Sequence, residues 1–176
     1  MKPLLLSLLL AGVITLTGCS TLVSLNPFVT DKEAVMDPAL LGTWTNEDGT
    51  DTYRISQDGE DYAIRYLSGS SDAYQFKARL MVAGDIKLLD LFSANEDAWQ
   101  LPVHTAVRVR TEGGSLSLAF MESGWLKVQA SQQVATVPLN DRTLITAPSE
   151  AVRDFLVNAA ADPEACDEPE VLTRTQ

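Results

Sequence analysis

Four features of this chain carry side chains suited to chemistry, and each has a plain structural reading beside it. His104 is the only histidine in 176 residues. It is the first candidate for a general base, because imidazole titrates near neutral pH without perturbation. It opens the stretch His104 to Glu112, where alternation groups it with Ala106, Arg108 and Arg110 and puts Val107 and Val109 on the other face. A base also needs a nucleophile and an orienting carboxylate, and no pattern in the chain points to either. Capping a loop, or hydrogen-bonding at a barrel mouth, is the plainer role. Cys166 has Glu164, Asp167 and Glu168 around it; these acids raise a thiol pKa and hold back the thiolate that nucleophilic chemistry requires. Asp162 to Glu170 carries five acids, but lacks the Gly and the terminal bidentate Glu of an EF-hand loop, so it reads as a solvated loop. Tyr62, Tyr66, Tyr74 and Phe76 fall at strand spacing. They are candidates for lining a ligand cavity, although plain core is the commoner use of such residues.

The wider inventory excludes more than it supports. One His and two Cys cannot build a cysteine/histidine zinc cage within the chain. The P-loop, nucleophile elbow, zincin helix and Cys-x-x-Cys pair are all absent from the sequence. No enzyme activity, cofactor or metal is therefore expected. With 24 acidic residues against 13 basic ones the net charge is −11, and no basic cluster is present to displace counterions from a nucleic acid. A composition of 45% hydrophobic and 21% charged residues is that of an ordinary globular domain.

The elements that would position these residues are mostly strands. From Leu40 onward short alternating segments are separated by turn signals. They are a strand from Gly42-Thr43-Trp44, then Asp51 to Ser56, Asp61 to Leu67, Ala73 to Val82, Ile86 to Phe92, His104 to Glu112 and Ser115 to Phe120. Asp58-Gly59 is a strong hairpin signal. The clearest alternation puts Tyr74, Phe76, Ala78, Leu80 and Val82 on one face, against Gln75, Lys77 and Arg79. Strands follow at Val134 to Val137 and Thr143 to Ala147, flanking an Asn140-Asp141 turn, and Glu170 to Thr175 is a last strand placed to close the sheet. Two helices interrupt: Ser123 to Gln132, and Glu150 to Ala161, where Ser149 is the expected N-cap. In the second helix Val152, Phe155, Leu156 and Ala159 form the apolar stripe. Strands at this spacing argue for an antiparallel barrel or sandwich. The strand count and alternation favour a mainly β fold, a single antiparallel barrel of about eight strands with one or two short helices, lipocalin-like (calycin-type) in form.

The N-terminus has a different character. Met1-Lys2-Pro3 is followed by an apolar run from Leu4 through Ile14 that ends in Leu16-Thr17-Gly18-Cys19. The run is short for a membrane span and suits a signal-peptide core. The last four residues resemble the bacterial lipobox. That resemblance implies that residues 1–18 are a cleaved signal peptide, that Cys19 carries a diacylglyceryl thioether, and that the lipid bilayer is the partner of its acyl chains. Ser20, rather than Asp, after the cysteine implies outer-membrane sorting in a diderm cell, with the protein facing the periplasm. Palmitate-like chains supply about 0.8 kcal/mol per buried CH₂, and two or more give stable attachment. Loss of Lys2 with the leader leaves 12 basic residues against 24 acidic ones. Cys166 is then the one cysteine without a modification. Residues 19–37 show no sustained period and read as a lipidated N-terminus and tether, or a strap across the domain, with residues 38–176 forming the barrel domain.

Asp37-Pro38-Ala39-Leu40-Leu41-Gly42-Thr43-Trp44, Leu89-Asp90-Leu91, Leu101-Pro102-Val103-His104, Trp125-Leu126 and Leu144-Ile145-Thr146-Ala147-Pro148 resemble segments of an uncharacterised family of small bacterial secreted and lipoprotein domains. No activity comes with that resemblance. Gly42-x-Trp44 also looks like the opening of lipocalin-type barrels, which implies that Trp44 closes one end beneath an Arg from a late strand, with Arg174 the candidate. Two functions follow as expectations. One is a membrane-anchored binding module holding a small apolar or amphipathic ligand, lined by Tyr62, Tyr66, Tyr74, Phe76 and His104, with Ala78 leaving room. The other is an envelope scaffold or accessory protein with a filled interior and an outer surface that meets another protein.

Overall fold

The computed structural model describes residues 22–69, 73–94, 102–140 and 142–175. The leader and Cys19 lie outside the described residues, as do Leu101 and Asp141. In chain order the strands are β1 (Leu22–Ser24), β2 (Gly42–Thr45), β3 (Asp51–Asp58), β4 (Asp61–Ser68), β5 (Tyr74–Ala83), β6 (Ile86–Ser93), β7 (His104–Glu112) and β8 (Ser115–Phe120). Helix α1 (Gly124–Gln133), β9 (Thr136–Leu139), β10 (Arg142–Ile145), α2 (Ser149–Ala159) and β11 (Glu170–Arg174) complete the chain. Eight strands, β2 to β8 and β11, close into an antiparallel lipocalin-like barrel. Closure comes from two pairings that are distant in sequence or bridged by a long connection. β11 lies between β8 and β2, with Leu172 opposite Leu116 and Arg174 opposite Trp44. β6 pairs with β7 from Leu88↔Arg108 to Phe92↔His104.

Local chemistry explains the tight connections. β3 and β4 pair through Asp58↔Asp61, which leaves only Gly59 and Glu60 in the turn, and Gly59 supplies the positive φ (64°) that such a loop needs. The strands expected at 134–137 and 143–147 form the β9–β10 hairpin, which stands outside the barrel. β10 pairs with β1 in parallel, and β1 touches the barrel through Ser24↔His104. The stretch read as a tether is thus part of the fold from Leu22 onward. Phe28 and Val29 are fully buried, Val35 bridges Leu80, and Asp37 is paired with Lys87 at 2.7 Å.

Two apolar cores lie on opposite sides of the barrel wall. The inner one joins Trp44, Tyr62, Leu80, Leu116 and Leu172 with the cavity walls. The outer one packs α2 and the strap residues Phe28 and Val29 onto Met81, Leu88 and Ala106. β6 therefore has buried side chains on both faces, which explains its nearly continuous apolar run. The α2 stripe is as expected, with Val152, Phe155, Leu156 and Ala159 all buried. Burying each of the larger three stabilises the fold by about 1.5–3 kcal/mol. The cap differs: Pro148 is the N-cap, no side chain caps the helix, and Ser149 is already its first residue. In α1, by contrast, Ser123 is the cap and accepts the Leu126 N–H.

One end of the barrel is sealed by Trp44 and Arg174. The indole is buried and donates to the Leu40 carbonyl at 2.9 Å. The Arg174 guanidinium lies 4.2 Å from the ring centroid and donates to the carbonyls of Leu41 (2.6 Å) and Ala39 (2.9 Å). Gly42 makes room for it: a Cβ there would lie 2.5 Å from Arg174 Nη1, and φ is +136°. Gly-x-Trp and the late Arg are therefore one device, in which the missing side chain admits the cation that stacks on the ring.

Candidate functional site

Inward-facing residues divide the barrel interior into a filled half and an open half. Next to the Trp44–Arg174 stack, Leu40, Tyr62, Ala78, Leu80, Leu116 and Leu172 are packed with 0 to 1% exposure. The other half holds a cavity of about 400 Å³. Its wall is built from alternate residues of neighbouring strands, including Ile55, Ile64, Leu91, Val107, Leu118 and Phe120. Tyr53, Tyr66 and Phe76 complete the aromatic part of the wall, and Thr105 and Glu122 are its polar residues.

No family model, curated protein or solved structure matches this chain.

The tyrosine hydroxyls beside the cavity are committed to carboxylates. Tyr53 donates to Glu170 Oε2 at 2.7 Å, and Tyr66 donates to Asp51 Oδ1 at 2.9 Å. Their rings stack with centroids 4.7 Å apart. Burial, and then the Glu170 carboxylate, push the Tyr53 phenol far above its ordinary value. At Tyr66 the Ser68 hydroxyl pulls the other way, but burial and Asp51 prevail and the pKa is raised. Bonds from Ser68 and Tyr66 hold Asp51 below the usual carboxylate range. Both phenols thus stay protonated and occupied, and the cavity offers an apolar wall with few polar groups to orient a ligand.

Of the residues singled out from the sequence, Tyr66 and Phe76 line the cavity; Tyr62, Tyr74 and His104 do not. Tyr62 shares the inward face of β4 with Tyr66 but sits in the filled half. Its hydroxyl accepts the Asp37 N–H at 2.6 Å, so its ring forms part of the floor. Ala78, directly opposite Tyr62, is fully buried there and leaves no room for a ligand. Tyr74 is 58% exposed beyond the end of the cavity and stacks on Tyr66 at 6.1 Å. Leu91, Val107, Leu118 and Phe120 were not singled out, although the alternation of their strands carried the signal.

His104 faces away from the cavity, as its alternation with Val107 requires, and meets a partner the sequence reading missed. Its Nδ1 lies 2.7 Å from Asp90 Oδ1. Asp90 is fully buried, and its Oδ2 accepts the N–H groups of Phe28 (2.9 Å) and Val29 (3.2 Å). The pair latches the strap to the outer wall of β6 and β7. A sequence signal existed: Asp90 is the only acid between Ile86 and Phe92, on a strand with apolar residues on both faces.

Cys166 is a free, half-buried thiol beside the outer core. Burial pushes its pKa up, Arg108 opposes this, and Asp167 adds to it. The acidic stretch serves local structure: Asp162 caps the turn at Pro163–Ala165, and Glu170 receives Tyr53. A second cavity, about 420 Å³, adjoins the first and shares Phe76, Leu91 and Thr105 with it. Its outer wall is Leu25, Phe92, Val103, Leu139, Arg142 and Leu144, between the barrel and the β9–β10 hairpin.

Proposed function

We propose that this chain is a membrane-anchored envelope lipoprotein that holds a small apolar or amphipathic molecule in its barrel without transforming it. The observation that carries the binding reading is the apolar cavity of about 400 Å³ in the open half of the barrel. An eight-stranded barrel is wide enough either to fill with side chains or to hold one small ligand, and small-molecule sites commonly measure about 300–1,000 Å³. Anchoring in this reading rests on acylation of Cys19 in the lipobox-like Leu16-Thr17-Gly18-Cys19, with the domain on the periplasmic side of the outer membrane. Among the described residues no helix is long and apolar enough to cross a membrane.

Native mass spectrometry of protein purified from its own envelope tests the binding reading. A stoichiometric adduct is expected, and it should vanish in Val107→Trp or Leu118→Trp while circular dichroism stays unchanged. Both substitutions project an indole into the cavity. An adduct that survives both substitutions would place the ligand elsewhere. No adduct, together with a cross-linked protein partner, would establish the scaffold instead.

A further inference from the structure

The β9–β10 hairpin is an unusual surface for so acidic a protein. Its two strands carry a single charged residue, Arg142, while Val137 and Leu139 are 43% and 41% exposed on one face of β9. β9 is also the last strand of the sheet. Pro138 in its centre cannot donate to a further strand, so growth of the sheet by another chain is disfavoured and does not explain the exposed apolar face. Beneath the hairpin, Leu139 and Leu144 join Leu25, Phe92 and Val103 around the second cavity, which shares Phe76, Leu91 and Thr105 with the barrel cavity.

The path of the chain indicates what covers this surface. Leu22 pairs with Thr143, next to Arg142 at the start of β10, so the segment from Cys19 enters the fold beside the hairpin. Three residue steps separate Cys19 from Leu22. Fully extended, they reach only about 10 Å. A lipid on Cys19 therefore holds Leu22 within that distance of the lipidated residue, and β10 and β9 follow one and two strand spacings of about 4.8 Å further on. Exposed aliphatic side chains with a neighbouring cation suit an interface of acyl chains and anionic head groups.

We infer that the β9–β10 hairpin and the groove beneath it are the membrane-seated face of this protein, with Val137 and Leu139 entering the lipid interface. The barrel cavity, which shares Phe76, Leu91 and Thr105 with that groove, then lies next to the bilayer. The inference rests on the lipid-anchored reading above.

Mature lipidated protein carrying Cys166→Ser and Leu139→Cys, labelled with an environment-sensitive fluorophore, provides the test. It is reconstituted in vesicles of phosphatidylethanolamine and phosphatidylglycerol, with and without brominated acyl chains. Glu60→Cys, at the exposed β3–β4 turn, is the reference site. A blue shift and loss of most of the emission to brominated lipid are expected at position 139 and not at position 60. Protein that floats with the vesicles but shows equal, weak quenching at both sites overturns the inference and leaves the anchor standing. Emission at 139 that shifts with protein concentration in detergent, and is indifferent to brominated lipid, assigns the face to a second copy. Protein that lacks the lipid mass and fails to float overturns the anchoring reading, and this inference with it.

Discussion

Replacing Asp90 by alanine tests whether the strap is held by a single buried carboxylate. Three donors converge on that side chain: the N–H groups of Phe28 and Val29, and His104 Nδ1. Alanine provides no acceptor, and each stranded buried donor costs about 1–3 kcal/mol. Removing the buried charge recovers part of this, because the carboxylate itself was costly to desolvate. The net loss expected is about 3–5 kcal/mol, as for other buried pairs that lose one partner. For a chain of this size that lowers the melting temperature by roughly 6–20 °C, at about 2–4 °C per kcal/mol. Asp90→Asn keeps the volume and one oxygen that can face the strap, so it should cost about 1–2 kcal/mol.

Urea unfolding followed by tryptophan fluorescence gives the stability change, and hydrogen exchange at Phe28 and Val29 locates it. The two amides should lose protection in Asp90→Ala before the barrel strands do, since Val35, Asp37 and Lys87 still hold the far end of the strap. The latch is refuted by a stability loss below about 0.5 kcal/mol, the level of an ordinary surface change. It is equally refuted if exchange at the two amides is unaltered. Combining Asp90→Ala with His104→Ala should cost less than the sum of the single changes, because the two side chains share one bond.

Gly42→Ala should destabilise by about 2–3 kcal/mol, through backbone strain and displacement of Arg174 from Trp44; thermal melts compared with Arg174→Leu check this, and full additivity in the double variant would contradict it. Lys87 beside Asp37, with the Ala39 N–H, holds that carboxyl below its ordinary value of 3.8, so its contribution is present above that value and lost as pH falls through the lower folded value. The stability gap between wild type and Asp37→Asn in urea should therefore be constant down to about pH 5 and shrink below about pH 4. At neutral pH Cys166 should alkylate much more slowly in folded protein than after denaturation, because burial raises its thiol pKa; mass spectrometry of iodoacetamide-treated samples reads the difference, and equal rates would refute it.

Properties that depend on a few neighbouring residues were legible before folding. Alternation along β4 and β5 identified the inward faces, the stripe Val152, Phe155, Leu156 and Ala159 identified α2, and Asp58-Gly59 marked the turn that Gly59 makes. The seal was implied only by the resemblance of Gly42-x-Trp44 to the opening of lipocalin-type barrels, with Arg174 as the candidate cation. Which inward residues meet a cavity was not legible. Tyr62 and Tyr66 lie on the same face of the same strand and differ only in their height within the barrel. What separates them is Leu40 and Leu172, which arrive from the strap and the last strand to fill one half and not the other. The latch was hidden for a related reason: Asp90 and His104 come together only when β6 pairs with β7 in one register. Alternation repeats every two residues within one strand, whereas height, register and the filling of the barrel depend on chain closure between segments far apart in sequence, and only the tertiary structure decides them.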